Sequence, residues 1–424
     1  MNGVKEDYMK KVGLVLVGIV VLTIGILSIP REEKQVLIEE KEDTTNTSLA
    51  FYIEKEEGGY EETSSLPQTG YTLNTERSIC TNNATPVWKD NKLYLNNLEA
   101  DGTTCYMYFN IYEPNAGEQI LENYPTQLTR NDFSVTVTDT TTGTIYYADT
   151  SKGRTYYFAG NPTDNWVRFG GFYWRIIRIN EDGSIRMIYQ GTSANTTSSD
   201  TQIGTSAFNT SYNDNAYVGY MYEINQVHGL TSDSTIKGVL DAWYQNNLAS
   251  YAGYLDGNAG FCGDRTSYTN TSGSSGGGTG TSTTYYGAYI RLITNKAPTF
   301  ECENDSNLYT TSGSEDGNGA LSYPIGLISS DEVAYAGGLY NTTNEDYYLY
   351  TGQNYWTMSP YNFNRDFAYA CIFLVDSAGW LTSDGGVYLV TNPFGVRPVI
   401  NLKADITLAG SGTSSDPYTV EGAA

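Results

Sequence analysis

The chain has 424 residues, enough for two or three domains of roughly 100–200 residues each, and sets 24 Lys plus Arg against 48 Asp plus Glu for a net charge of −24. A surface that negative repels phosphate backbones and excludes nucleic acid as a partner. One histidine, five cysteines and no CxxC leave no ligand set for a multi-histidine metal centre or a zinc knuckle, so no metal and no cofactor is expected.

Only 17% of residues are charged, while Gly (44) and Tyr (38) are abundant, a loop-rich, β-leaning, extracellular composition. Lys5, Lys10 and Lys11 mark residues 1–11 as a cytoplasmic tail. Residues 12–30 (VGLVLVGIVVLTIGILSIP) carry no charge. As a helix they would span roughly 28 Å, the thickness of a bilayer core, with the basic side in the cytoplasm. A cleaved signal peptide has a shorter apolar stretch, about 7–15 residues, ending in small side chains. This run ends ILSIPREE, so the expectation is an uncleaved, single-pass signal anchor in the lipid bilayer with everything after it outside.

Residues 31–62 hold eleven acidic and four basic side chains. They read as an acidic stalk (31–47) merging into a first strand. Outside the cell an oxidising environment favours pairing of Cys80 with Cys105 and of Cys262 with Cys302, leaving Cys371 as the odd one. Residues 48–113 read as a small β domain: LAFYIEKEE, SICTN, KLYLNNL and TCYMYF are short strand-like runs separated by Gly, Asn and Asp. A Cys80–Cys105 bridge would staple a core small for its ~65 residues.

A polar hinge at 113–117 opens a large domain, 114–424. In WVRFGGFYWRIIRINEDGSIRMIY, Tyr173, Arg175, Ile177 and Ile179 alternate with Trp174, Ile176 and Arg178, and NEDG turns the chain into a hairpin. Ile236, Val239, Leu240 and Trp243 follow helical spacing over 234–248. Ser330 is expected to cap a second, short helix that ends at Gly337 and Gly338. Residues 271–284 form a low-complexity loop, and the last strands are expected at 368–375, 386–389 and 396–402.

The runs YWRIIRINEDGSIRMIY, FCGDRT, YYGAYIRLITNKAPTFEC, GNGALSYPIGLISSDEVAYAGG, YLYTGQNYWTMSP and FGVRPVINLKADITLAGSGTSSDPYTV together resemble a group of uncharacterised bacterial surface proteins. The C-terminal domain of that group is related to the C-type-lectin-like and formylglycine-generating-enzyme-like superfamily. TGYTLNTERSICTNNATP and GTTCYMYF resemble the small domain that often precedes it. The resemblance implies an α+β fold with a C-type-lectin-like C-terminal domain behind a small β domain and an N-terminal transmembrane helix. It also implies a surface location and a binding role, but no established activity.

Several motifs have ordinary readings. LPQTG at 66–70 matches a sortase pentapeptide, but 354 residues follow it without an apolar span and basic tail, so a turn with Pro67 at its start is expected. EPN at 113–115 occurs in calcium-dependent lectins together with a WND strand; here it lies at a domain boundary and no WND occurs, so it reads as linker. His228 reads as structural, and Cys371, within FAYACIFLV, as a small buried hydrophobe.

Residues 360–394 (PYNFNRDFAYACIFLVDSAGWLTSDGGVYLVTNPF) contain no Lys, Glu, Gln or Met. Replacing the adenines of AAC or AAT codons produces every residue type present there except Trp380. A diversity-generating retroelement leaves that pattern; chance depletion is the rival explanation. Tyrosine and tryptophan offer large rigid contact area with a polar tip, so Tyr361, Asn362, Asn364, Arg365, Asp366, Tyr369 and Trp380 are the expected ligand-binding residues. The sequence therefore predicts a membrane-anchored, non-enzymatic surface protein that binds an extracellular glycan or protein through variable loops. A formylglycine-generating-like enzyme and a structural envelope protein are the alternatives.

Overall fold

The computed structural model describes residues 36–38, 48–67, 70–89, 92–97, 102–139, 142–268, 276–311, 317–383 and 388–423. The apolar run at 12–30 and most of the acidic stretch lie outside these residues, and no helix among the described residues is long and apolar enough to cross a membrane. The chain divides into two compact units, Met1–Glu113 and Pro114–Ala424. Both are built mainly from strands, and the fold is a β-rich α+β one.

In the smaller unit, Val36–Ile38, Lys92–Asn96 and Thr85–Lys89 form an antiparallel three-stranded sheet. The expected stalk therefore contains a strand, whose backbone pairs with Leu93, Tyr94 and Leu95 of its neighbour. A five-stranded sheet centres on Thr104–Ile111, which pairs in parallel with Ser48–Glu54 and antiparallel with Tyr71–Leu73 and Ile79–Cys80. Alternation drives the packing: Cys105, Met107 and Phe109 point inward and meet Phe51, Leu73 and, from the other sheet, Leu93 and Leu95. Leu66 of the LPQTG stretch packs on the same core.

That core is small, and the Cys80–Cys105 disulfide joins directly opposed positions across it. Its 25-residue loop corresponds to about 3 kcal/mol of chain entropy. Replacing both cysteines by alanine is expected to lower this unit's stability by about that amount. Amide hydrogen exchange should rise across Ser48–Glu54 and Thr104–Ile111 and stay unchanged in Phe172–Ile179.

The larger unit has two main sheets. The nine-stranded one is organised by the antiparallel hairpin of Phe172–Ile179 and Ile185–Gly191. Val399–Leu402 extends it on one side; Trp166–Phe169 and Gly153–Tyr157 extend it on the other. Trp166–Phe169 is in turn paired in parallel with Tyr418–Val420. Ile185–Gly191 is buried along its whole length, so alternation there sorts side chains between two covered faces rather than between core and solvent. Gly183, at the hairpin turn, has φ +85° and sits where a Cβ would strike the Asn115 side chain.

The seven-stranded sheet is built on a second hairpin, Tyr355–Asn364 and Tyr369–Val375, flanked by Thr284–Tyr286 and Leu381–Thr382. Pro360 has no N–H for the ladder, and the register shifts on both sides of it. A single core runs through both sheets, including Trp174 and Ile176 from one and Trp356, Phe363 and Phe373 from the other.

Three helices have identifiable starts. Asn115 caps Ala116–Leu121, accepting from the Glu118 N–H at 2.9 Å while the Glu118 carboxylate accepts from the Asn115 N–H at 2.8 Å. The EPN motif thus supplies a capping box. Ser234 caps Thr235–Asn247, which buries Ile236, Lys237, Leu240 and Tyr244. Ser329, rather than Ser330, caps Ser330–Ala336, because Glu332 stands three residues after Ser329 and completes a second capping box. Gly337 ends that helix at φ +117°. The second disulfide is Cys262–Cys302. Of the strand expected at 386–389, residues 386–387 lie outside the described residues and 388–389 carry no strand.

Candidate functional site

The hairpin Tyr355–Asn364/Tyr369–Val375 decides where the sequence-selected residues lie. Its strands are buried on both faces, which accounts for the absence of Lys, Glu and Gln from them. Tyr361, Asn362 and Tyr369 are accordingly 8%, 6% and 7% exposed, a correction to their assignment as ligand-facing. Tyr361 packs edge-on against Phe373 at 5.0 Å, and its hydroxyl lies 3.2 Å from that of Tyr340. Burial, then the Tyr340 hydroxyl, pushes the Tyr361 pKa well above the usual phenol range. Asn362 Oδ1 is buried without a hydrogen-bond partner among the described residues.

The turn of this hairpin is the exposed part. Asn364 is half-buried and its Oδ1 accepts from the Asp366 N–H at 2.9 Å, shaping the turn, while the Arg365 N–H donates to Thr283 Oγ1 at 3.1 Å. Arg365, Asp366 and Phe367 project into solvent. Ala368 holds φ at +52°, a left-handed conformation that costs a non-glycine residue about 1 kcal/mol. Phe367 is 69% exposed and stacks on Tyr369 at 5.5 Å.

Two more exposed aromatics are tied to this end of the sheet. Tyr212, 43% exposed, accepts through its carbonyl from the Ala370 N–H. Tyr268, equally exposed, pairs with Tyr285, which pairs with Asn362; two strand spacings put it about 10 Å from the hairpin. Tyr285, Tyr289 and Tyr340 are half-buried around Tyr361. Trp380 lies apart. It follows Val375, which pairs with Tyr355 at the opposite end of the hairpin, about 20 Å from the turn. Sequence reasoning missed Phe367, Tyr212 and Tyr268. An Asn-Arg-Asp turn between two apolar runs was the available signal for Phe367; nothing local marks the other two.

A second cluster is charged and buried. Glu332 Oε1 lies 2.5 Å from Arg186 Nε and 3.5 Å from Arg178 Nε. Arg291 is bidentate to Asp331 at 2.9 and 3.0 Å and reaches Asp264 at 2.7 Å. These six side chains line a crevice of about 40 Å³ beside Cys262 and Cys302, room for two or three waters. Burial pushes the Glu332 pKa up, but the Arg186 and Arg178 charges override it and hold the carboxyl below its ordinary value. Burial likewise pulls Arg291 down, and Asp331 and Asp264 raise it overall. Each carboxylate already faces a guanidinium, so the cluster offers no poised base. Its chemistry is to tie the Ser330–Ala336 helix to the central hairpin and to Arg291.

The remaining motif residues have structural roles. His228 Nδ1 lies 2.9 Å from Asn307 Oδ1. Cys371 is fully buried in the large core, and the other four cysteines are in disulfides. Among the described residues no three His, Cys, Asp or Glu side chains are placed to hold a metal ion. Searches of family models, curated proteins and solved structures find no match to the chain.

Proposed function

We propose that this is a membrane-anchored cell-surface protein whose larger unit, a C-type-lectin-like domain, binds an extracellular glycan or protein. The observation that carries the reading is Phe367, more than two-thirds exposed at the turn of a hairpin whose strands are buried in the core. A rigid scaffold presenting an aromatic side chain beside Arg365, Asp366 and the exposed Tyr212 and Tyr268 has the composition of a binding surface. The anchor reading rests on the uncharged run at 12–30 and the basic residues before it.

Binding of the displayed full-length protein to a glycan array and to whole cells is expected to fall at least tenfold in Phe367→Ala and Arg365→Ala, with thermal unfolding unchanged. Tyr361→Ala should instead lose about 3 kcal/mol of stability, as a truncated core aromatic does. Tip variants that bind as well as the parent would remove the tip from the site. Retroelement diversification of this hairpin would be confined by the core to exposed positions such as 365–367. Sequencing the encoding region across a population should then show substitutions concentrated at those codons; variation equal to that of Phe172–Ile179 would rule it out.

A further inference from the structure

The helix Thr235–Asn247 buries a lysine in its first turns. The Lys237 side chain is 2% exposed, and its Nζ lies 2.7 Å from Asp241 Oδ2 and 3.2 Å from Asp233 Oδ2. Lys237 and Asp241 are four residues apart on one helix face, a spacing that brings their side-chain ends together without distorting the backbone. Asp241 is 16% exposed and its Oδ1 is buried without a hydrogen-bond partner among the described residues, whereas Asp233 is half exposed. The helix face around the pair is apolar, with Ile236, Leu240 and Tyr244 buried.

We propose that Lys237 and Asp241 are joined covalently by an amide bond that the folded protein forms on itself. A buried ammonium–carboxylate pair gains little over its desolvation cost, and condensation removes both charges. The proton of the Lys237 ammonium first passes along the 2.7 Å contact to Asp241, leaving an amine beside a neutral carboxylic acid. The Nζ lone pair then attacks Cγ. Asp233 accepts the proton that nitrogen sheds and returns it to the departing hydroxyl. An N–C bond forms, a C–O bond breaks and one water leaves, with no change of oxidation state. Holding both groups in contact supplies an effective molarity of roughly 10⁵–10⁸ M, the usual range for oriented intramolecular reactions. Burial raises the Asp241 pKa against the lowering effect of Lys237, which favours the neutral acid the reaction needs.

Mass spectrometry of the full-length protein tests this directly. The intact mass should be one water below that calculated with two disulfides. After denaturation and reduction, trypsin should fail to cut after Lys237 and yield a single peptide, 187–265, with no backbone fragments arising between 237 and 241. Lys237→Arg and Asp241→Ala should restore the calculated mass, and Asp233→Asn should slow the water loss. The calculated mass together with cleavage after Lys237 in the parent protein would overturn the proposal, as would a water loss mapped to an Asp-Gly pair. These readouts do not depend on any variant folding.

Discussion

Glu332→Gln should destabilise the larger unit by about 3–5 kcal/mol, the cost of removing one partner from a buried ion pair. The amide keeps the side chain's volume and can still accept from the Ser329 N–H, so the helix cap survives and the change isolates charge. What is left is Arg186, 2% exposed, and Arg178, both facing a neutral group. Urea denaturation should show a lower midpoint with an unchanged slope. A shift within ~0.5 kcal/mol would mean that water in the adjoining crevice already solvates the guanidiniums. The pH dependence has a definite sign. Because the folded Glu332 pKa lies below its ordinary 4.5, its contribution is present above that value and is lost as pH falls through the folded pKa.

At the alkaline end the buried tyrosines dominate. Tyr157, Tyr220, Tyr286, Tyr347, Tyr348 and Tyr355 are each no more than 3% exposed, and burial raises every one of their pKa values above 10.0. Above pH 10 the unfolded chain releases phenolic protons that the native protein retains, so native stability falls as pH rises. At about 1.4 kcal/mol per tyrosine for the first unit, six of them remove roughly 8 kcal/mol by pH 11, comparable with the roughly 5–15 kcal/mol that holds a typical domain folded. Tyrosinate absorbance should therefore jump cooperatively between about pH 10 and 12, together with loss of far-ultraviolet circular dichroism. A gradual absorbance rise with the spectrum retained would show that these rings reach solvent without unfolding.

Part of this architecture is written locally. The two disulfides match the pairing of sequence-neighbouring cysteines expected of an oxidising environment, the Phe172–Gly191 hairpin follows from alternation around a turn, and the Thr235–Asn247 helix from apolar spacing behind Ser234. The exposure of the second hairpin is not. Tyrosine and asparagine at 361, 362 and 369 look like surface residues, yet the sheet is covered on both faces, and a strand with two buried faces carries no periodic mark of which side is wet. Only the turn breaks out, so the exposed positions shift from the strands to Arg365, Asp366 and Phe367. The charged cluster is illegible for a different reason. Its members come from positions 178, 186, 264, 291, 331 and 332, and no local pattern links residues so distant in the chain.

The parallel pairing of Trp166–Phe169 with Tyr418–Val420 constrains how the unit is made. About 250 residues separate these partners, and the strand that completes the other side of the central hairpin, Val399–Leu402, is nearly as late. At ~5–20 residues per second, a growing chain holds one edge of these early strands unpaired for roughly 10–50 s before the last ones emerge. Trp166–Phe169 and Ile185–Gly191 each leave a backbone edge open until then, so a nascent chain is most vulnerable to edge-to-edge association in that interval. Folding of this unit is therefore a late, slow, long-range event, and the demand for holding factors during synthesis falls on the early strands Trp166–Phe169 and Ile185–Gly191, whose edges wait for these partners.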